Sequence, residues 1–249
     1  DGMLMLARAG FSTNAVIAAT GPVLDTAKVA GVGLEEASTL LADSLSQFGM
    51  SAVFAGKAAD ILVTASNKGN TSIVQIGEAL KLAGPIAKAA AMDLSETSAI
   101  LDVLADSGLK ATLGGMALRV ILAQLSGPSE GAKKALEGLG VEVEGLGKRI
   151  QTKGGLLDVL EQLGKGGLDL ISAGAIFQQR GAAAALTLSK STERIRALAE
   201  EIENSEGAAR RSAALIESTL GDAFLSLLSA IDEAILSLGD AGFGGALKS

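Results

Sequence analysis

Residues 27–65 and 87–124 align as two copies of one pattern. The offset is 60 residues at Leu34/Leu94 and Glu36/Glu96, and slips to 59 at Gly49/Gly108 and Gly56/Gly115. A repeat of this length is one supersecondary unit that cannot bury its apolar face alone, so each copy must pack on its neighbour. Few folds satisfy that demand, and the local pattern selects among them.

Within the copies, glycines and capping residues punctuate short helices. "DGMLMLARAG" reads as a helix ending at Gly10, and the Asp at position 1 falls inside it, which points to a segment of a longer polypeptide. Ser12 is placed to cap the next helix, which is expected to stop near Gly21-Pro22. Further helices are expected up to Gly31 or Gly33, up to Gly49, and from Ser51 onward. Ser72 and Gln75 have the spacing of a capping box, and Ile73, Ile76, Leu80 and Ala83 follow as one apolar stripe. Gly84-Pro85 is expected to end that helix, echoing Gly21-Pro22, so both Gly-Pro pairs read as hinges between helical hairpins. Asp93 and Glu96 form a second box-like start, and a further helix begins near Thr112. Residues 1–126 thus read as a core of repeated helical hairpins.

Residues 127–181 read as a Gly-rich connector, with eight glycines in 127–155 and short helices at 156–163 and 168–180. A long amphipathic helical pattern occupies 182–249. Leu188, Ile195, Ile202, Ala209 and Ile216 recur every seventh residue, with Leu198 at a paired position and Ser191, Ser205, Ser212 and Thr219 at the others. That is a weak, polar coiled-coil seam. It strengthens at Leu220, Phe224, Leu227, Ile231 and Ile235, so these residues together are the candidate self-association face. No segment alternates with the period of a strand, and the expected class is all-α, with hairpins followed by a long coiled-coil-like helix.

Composition narrows function mostly by exclusion. The chain has no His and no Cys, which removes the commonest general base, the commonest metal ligand and all thiolate chemistry. Net charge is −7, and the densest basic spots are isolated pairs such as Lys133-Lys134 and Arg210-Arg211, so no sequence-specific nucleic-acid face is expected. The first ten residues lack the charged start and apolar block of a signal peptide. The longest uncharged stretch, Ala9 to Leu24, is 16 residues and polar in places, too short to span a bilayer.

Four patterns invite a chemical reading and do not hold it. Ser107-Gly108-Leu109-Lys110 matches the Ser-x-x-Lys of serine acyl-enzymes but has none of the accompanying elements, and the repeat places a turn at Gly108. Asp102 and Asp106 resemble a carboxylate pair, but without an aromatic pocket a solvated helix face is preferred. Glu200, Glu201, Glu203 and Glu206 read as the outer face of the long helix, with Arg194 and Arg196 as local partners. The Gly-Lys pairs at 56–57, 147–148 and 164–165 lack the upstream glycine of a phosphate loop. No catalytic, cofactor or metal site is expected, and the chain does not read as an enzyme.

Three segments carry a resemblance: "GMLMLARAGFSTNAVIAAT" (2–20), "NTSIVQIGEALKLAGPIAKAAAMDLSETSAILDVLADSGLKATLGGMALRVILAQLS" (70–126) and "AIFQQRGAAAALTL" (175–188). Together they resemble the core region of phage tail tape measure proteins, and "ALIESTLGDAFLSLLSAI" (214–231) is similar to the helix that closes it. The resemblance implies a virion structural protein that sets tail length, occupies the tail tube lumen or tip, and leaves ahead of the DNA at ejection. It implies self-association as a homotrimer or homohexamer, and partners among tail tube and tail tip proteins and tail assembly chaperones. It places the protein in the host cytoplasm during assembly and in the virion tail afterwards. A membrane-active helical protein forming a channel for genome delivery, with the host membrane as partner, is the competing reading.

Overall fold

The computed structural model describes residues 11–221, together with Leu4, Ala7 and Ser229. The described residues are all-α, with no strand among them. The first copy of the repeat is three helices: α1 (Thr13–Ala30), α2 (Leu34–Phe48) and, after a 3-10 turn at Ala52–Phe54, α3 (Ala55–Lys68). The second copy is α4 (Ile73–Ala89), α5 (Leu94–Asp106) and α6 (Ala111–Ser126). In each copy the third helix folds back along the first, and the copies join where α2 packs on α4 and α3 on α5. The repeat is therefore a three-helix unit rather than a plain hairpin.

Neither Gly-Pro pair is a hinge. Pro22 lies inside α1 and Pro85 inside α4. Each proline forfeits one backbone hydrogen bond and crowds the preceding turn, which together cost about 3 kcal/mol in a helix interior. The apolar stripe explains why the helix continues. Val16, Ala19, Val23 and Ala27 are buried at spacings of three and four across Pro22. Ile73, Ile76, Leu80, Ala83 and Ala87 do the same across Pro85. A break at either proline would turn half of that stripe away from the core.

The expected start of α4 is present in full. The Ser72 hydroxyl accepts from the Gln75 amide at 3.2 Å, and the Gln75 side-chain oxygen accepts from the Ser72 amide at 3.2 Å. Ser72→Ala is expected to lower stability by about 1 kcal/mol, read as a fall in the denaturation midpoint with unchanged slope. At Asp93 only half of the second box forms: Asp93 Oδ1 accepts from the Glu96 amide at 2.8 Å, while the Glu96 side chain turns inward.

Small residues set a close crossing of α4 and α6. A Cβ on Gly115 of α6 would sit 2.8 Å from Ala79 Cα of α4 and overlap its carbonyl. No side chain can yield there, because the obstacle is backbone.

α5 is the centre of the described helices. Every residue from Leu94 to Ala105 is buried, enclosed by α3, α4, α6, α10 (Leu170–Ser189) and α11 (Thr192–Glu203). Between α6 and α10 the chain makes α7 (Glu130–Gly138), the single turn α8 (Leu146–Arg149) and α9 (Gly155–Lys165). One hydrophobic cluster runs from Val16 to Ala209, so residues of all three sequence segments share it.

The long helical pattern is cut into pieces. α10 bends at Gln178, whose φ of 58° and ψ of 178° are non-helical. α11 follows after Lys190-Ser191, and helix resumes over 208–221 after a turn in which Gly207 takes φ +75°. A continuous rod would carry Ile195 and Ile202 away from α5. The breaks instead fold α11 onto α5, α3 and α9.

Candidate functional site

The loop before α4 is held by the C-terminal end of α5. Gly69 adopts ordinary extended backbone, and its lack of a side chain serves close approach: a Cβ there would overlap the Asp102 carboxylate. The Asn70 amide donates to Asp106 Oδ1 at 3.0 Å, and Lys110 Nζ donates to Asn70 Oδ1 at 2.9 Å. Arg194 of α11 pairs with the other oxygen of Asp106. Burial opposes the Asp106 charge, but Arg194, the Asn70 amide and Lys110 outweigh it and hold this carboxyl below the usual range.

Asp102, one turn earlier, is not on a solvated face. It is wholly buried, and neither carboxylate oxygen has a hydrogen-bond partner. Burial first, and the neighbouring Asp106 second, raise its pKa to about 7, against the pull of Arg194. The two aspartates therefore titrate far apart, one as a salt-bridge anion and one as a sealed acid. Asp102 touches no solvent, so it can meet no substrate. The Ser-x-x-Lys pattern is likewise spent on structure: Ser107 Oγ donates to Val103 O, Gly108 takes φ +86°, and Lys110 serves Asn70.

At the other end of α5 lies an open cleft of about 310 Å³, lined by Asp93, Ser95, Glu96, Lys153, Leu157 and Glu203 among others. Glu96 is 5% exposed, and its Oε1 has no partner. Burial, then Asp93, raise its pKa to about 7, with Lys153 and the Gly154 amide opposing. Glu203 of α11 accepts from Ser95 Oγ at 2.5 Å and pairs with Lys57 of α3. Burial disfavours the Glu203 carboxylate, but Lys57 and Ser95 hold its pKa below the ordinary value.

The acidic run of α11 and its arginines pair across the fold rather than locally. Glu201 meets Lys68, Arg194 meets Asp106, and Arg196 bridges Asp158 and Glu161 of α9 at 2.8 Å each. The helix over 208–221 is started from a distance: Asp60 of α3 accepts from the Gly207 amide at 2.8 Å and the Ala209 amide at 2.9 Å. Lys28 of α1 pairs with Glu217 at 2.8 Å. Asp60→Ala is expected to weaken this docking by about 1–2 kcal/mol, seen as faster hydrogen exchange over 205–221 with α4–α6 unchanged.

The self-association candidates fall into three groups. Leu188, Ile195 and Ile202 are fully buried in the chain's own core and Leu198 is 9% exposed. Ile216 is half-buried, and Leu220 is 65% exposed. Phe224, Leu227, Ile231 and Ile235 lie outside the described residues. The buried four pack inside the chain rather than forming an open seam. Among the described residues no group of three or more acidic side chains is placed to hold a metal ion.

No solved structure matches the chain. It is similar to the tape measure protein of Pneumococcus phage Dp-1, 28% identical over 232 residues, which is 88% of this chain and 20% of that protein. It is also similar to the probable tape measure protein of Escherichia phage P2, 31% identical over 139 residues, covering 56% of this chain and 17% of that protein. The chain thus spans about a fifth of the length of these relatives. The family model described as phage-related minor tail protein matches residues 1–200. The chain therefore belongs to the phage-related minor tail protein family, and its place is the virion tail.

Proposed function

We propose that this chain is a folded helical region of a tail tape measure protein, structural rather than catalytic, within a longer polypeptide that sets tail length. The observation that carries the reading is the match to the Dp-1 tape measure protein along 88% of the chain. In this reading the parent protein lies in the tail tube lumen or tip, meets tube and tip proteins and assembly chaperones, and leaves ahead of the DNA. A helix advances about 1.5 Å per residue, so helical length converts directly into distance. A bundle of short helices is a poor ruler, and the measuring length belongs to the rest of the parent protein.

Self-association as a trimer or hexamer through 182–238 remains part of the proposal, with a condition set by the fold. Leu188, Ile195, Leu198 and Ile202 can face a second copy only after α10 and α11 leave α5, whereas Leu220 is accessible as the chain stands. The three parts 1–126, 127–181 and 182–249 would then act as core, connector and assembly arm. The membrane-channel reading has no comparable support. Among the described residues no single helix is long and apolar enough to cross a bilayer, and α1 and α2, which pass only as a pair, are bent by 113°.

The test is to shorten or lengthen the intact parent gene in frame, outside the region matched by this chain, and to measure tails by electron microscopy. Tail length is expected to change in proportion to the residues removed or added. Tails of unchanged length would overturn the ruler reading.

A further inference from the structure

The two copies of the repeat differ on one side of their first helix. At the offset of 60, the buried residues Val16, Ala19, Val23 and Ala27 of α1 fall on Ile76, Ala79, Ala83 and Ala87 of α4, so both helices turn the same stripe to the core. α4 has a second buried side, which carries Gly77 and Gly84. A Cβ on Gly77 would sit 3.0 Å from Leu40 Cγ, and one on Gly84 would overlap the Gln47 side chain, so α2 lies directly on this side. The matching residues of α1 are Ile17 and Leu24, 62% and 42% exposed. Gly21, between them, has nothing within 4 Å of a built Cβ. A side that receives a helix in one copy is therefore open and apolar in the other, and in a repeat such a side is where a further helix packs.

Contacts already in place lead the C-terminal segment to it. The helix over 208–221 is fixed at its start by Asp60, Ser212 Oγ accepts from Asn67 Nδ2 at 3.3 Å, and Glu217 pairs with Lys28. Lys28 belongs to the open side of α1, one turn beyond Leu24. Gly221-Asp222 then joins a residue type that ends helices to one that caps them. A helix over 222–238 would be about 25 Å long, close to the span of the 18-residue α1. Its apolar pattern, Phe224, Leu227, Ile231 and Ile235, is edged by small residues seven apart, Ala223, Ala230 and Ser237. α1 presents large residues at the same interval, Ile17 and Leu24, so the small edge complements them. Ser229, on the far side of that pattern, is helical and exposed.

We propose that residues 222–238 turn back at Gly221 and pack antiparallel along α1 of the same chain, with Ala223 beside Leu24 and Ala230 beside Ile17. The segment then fills on α1 the place that α2 fills on α4. Leu227 and Ile231 are spent on α1 in this arrangement, so they can meet a second copy only after the segment leaves. The inference goes beyond the ruler reading and does not depend on it.

The experiment is disulfide trapping in the 249-residue chain, which has no cysteine of its own, so two introduced thiols are the only ones present. Ile17→Cys/Ala230→Cys is oxidised in dilute solution and compared with Ile17→Cys/Ser229→Cys, which puts the second thiol on the far side of the segment. The first pair is expected to close within one chain at least about tenfold faster than the second, because docking raises the local thiol concentration and brings the Cβ atoms into bonding range. Leu24→Cys/Ala223→Cys is a second, independent pair with the same expected result. Ile17 and Leu24 are exposed, so these substitutions leave the core intact, and an unchanged far-ultraviolet spectrum checks it. The proposal is overturned if neither pair closes faster than the control. It is also overturned if a mixture of Ile17→Cys chains and Ala230→Cys chains links the two as fast as the double variant closes, since the occupant would then be a second copy.

Discussion

Gly115→Val is expected to lower the stability of this chain by at least about 3 kcal/mol, a fall of about 6–12 °C in melting temperature at this size. The new Cβ would collide with the Ala79 carbonyl and lie 2.8 Å from Ala79 Cα, so α4 and α6 must move apart. Separation opens voids along the face where these two helices make the most extensive contact among the described helices. A matched control distinguishes crowding from loss of a flexible residue. Gly174 of α10 has nothing within 4 Å of a built Cβ and no positive φ, so Gly174→Ala is expected to be neutral or stabilising by up to about 1 kcal/mol. If Gly115→Val unfolds no more readily than Gly174→Ala, the close crossing is not what holds the two helices together.

The second large effect is a fall in stability with rising pH, traced to Asp102. Its ordinary carboxyl value is 3.8, and in the fold it is raised to about 7. The folded state therefore holds a proton that the unfolded chain releases between these values. Below about pH 4 both states are protonated and there is no penalty. Between pH 4 and 7 the penalty grows, and above pH 7 it is complete, because the ionised carboxylate must sit buried beside Asp106. A shift of this size corresponds to about 2–4 kcal/mol. Asp102→Asn keeps the shape and removes the charge, so the variant is expected to be more stable than the parent at pH 8 and nearly equal to it at pH 4. Denaturant unfolding at both pH values checks this. The carboxylates held low by salt bridges, Asp106 and Glu203, pull the opposite way on acidification, so the difference between variant and parent isolates Asp102. Equal differences at pH 4 and pH 8 would remove burial as the cause.

What could be read from the residues was whatever is decided locally. The capping box at Ser72/Gln75, the cap at Ser12 and the 60-residue repeat all depend on neighbours within a turn or on self-similarity, and all appear in the fold. Pro22 and Pro85 were misread because a proline was weighed against its own hydrogen bond alone. The apolar stripe running through both prolines was the stronger term and was visible. Asp102 was misread for a related reason. It was weighed by its charge and its spacing from Asp106, although Ile100, Leu101, Val103 and Leu104 flank it in sequence. A helix whose small and apolar residues run all the way round is buried, whatever single charge it carries. The Asp60 cap on a helix start some 147 residues away had no local trace at all. Nor did the inward fate of Ile195 and Ile202, because a heptad looks the same whether its partner is a second copy or the chain's own α5.

The central position of α5 has a consequence for synthesis. α5 is complete at residue 106, while α11, which covers its far side, begins at residue 192. At about 5–20 residues per second, the ribosome needs roughly 4–17 s to supply that missing wall. During that interval the side of α5 that carries Asp102, near which Arg194 later comes to rest, lacks its cover from α11. The nascent N-terminal half is then a half-roofed structure, at its greatest risk of sticking to a sibling chain on the same message.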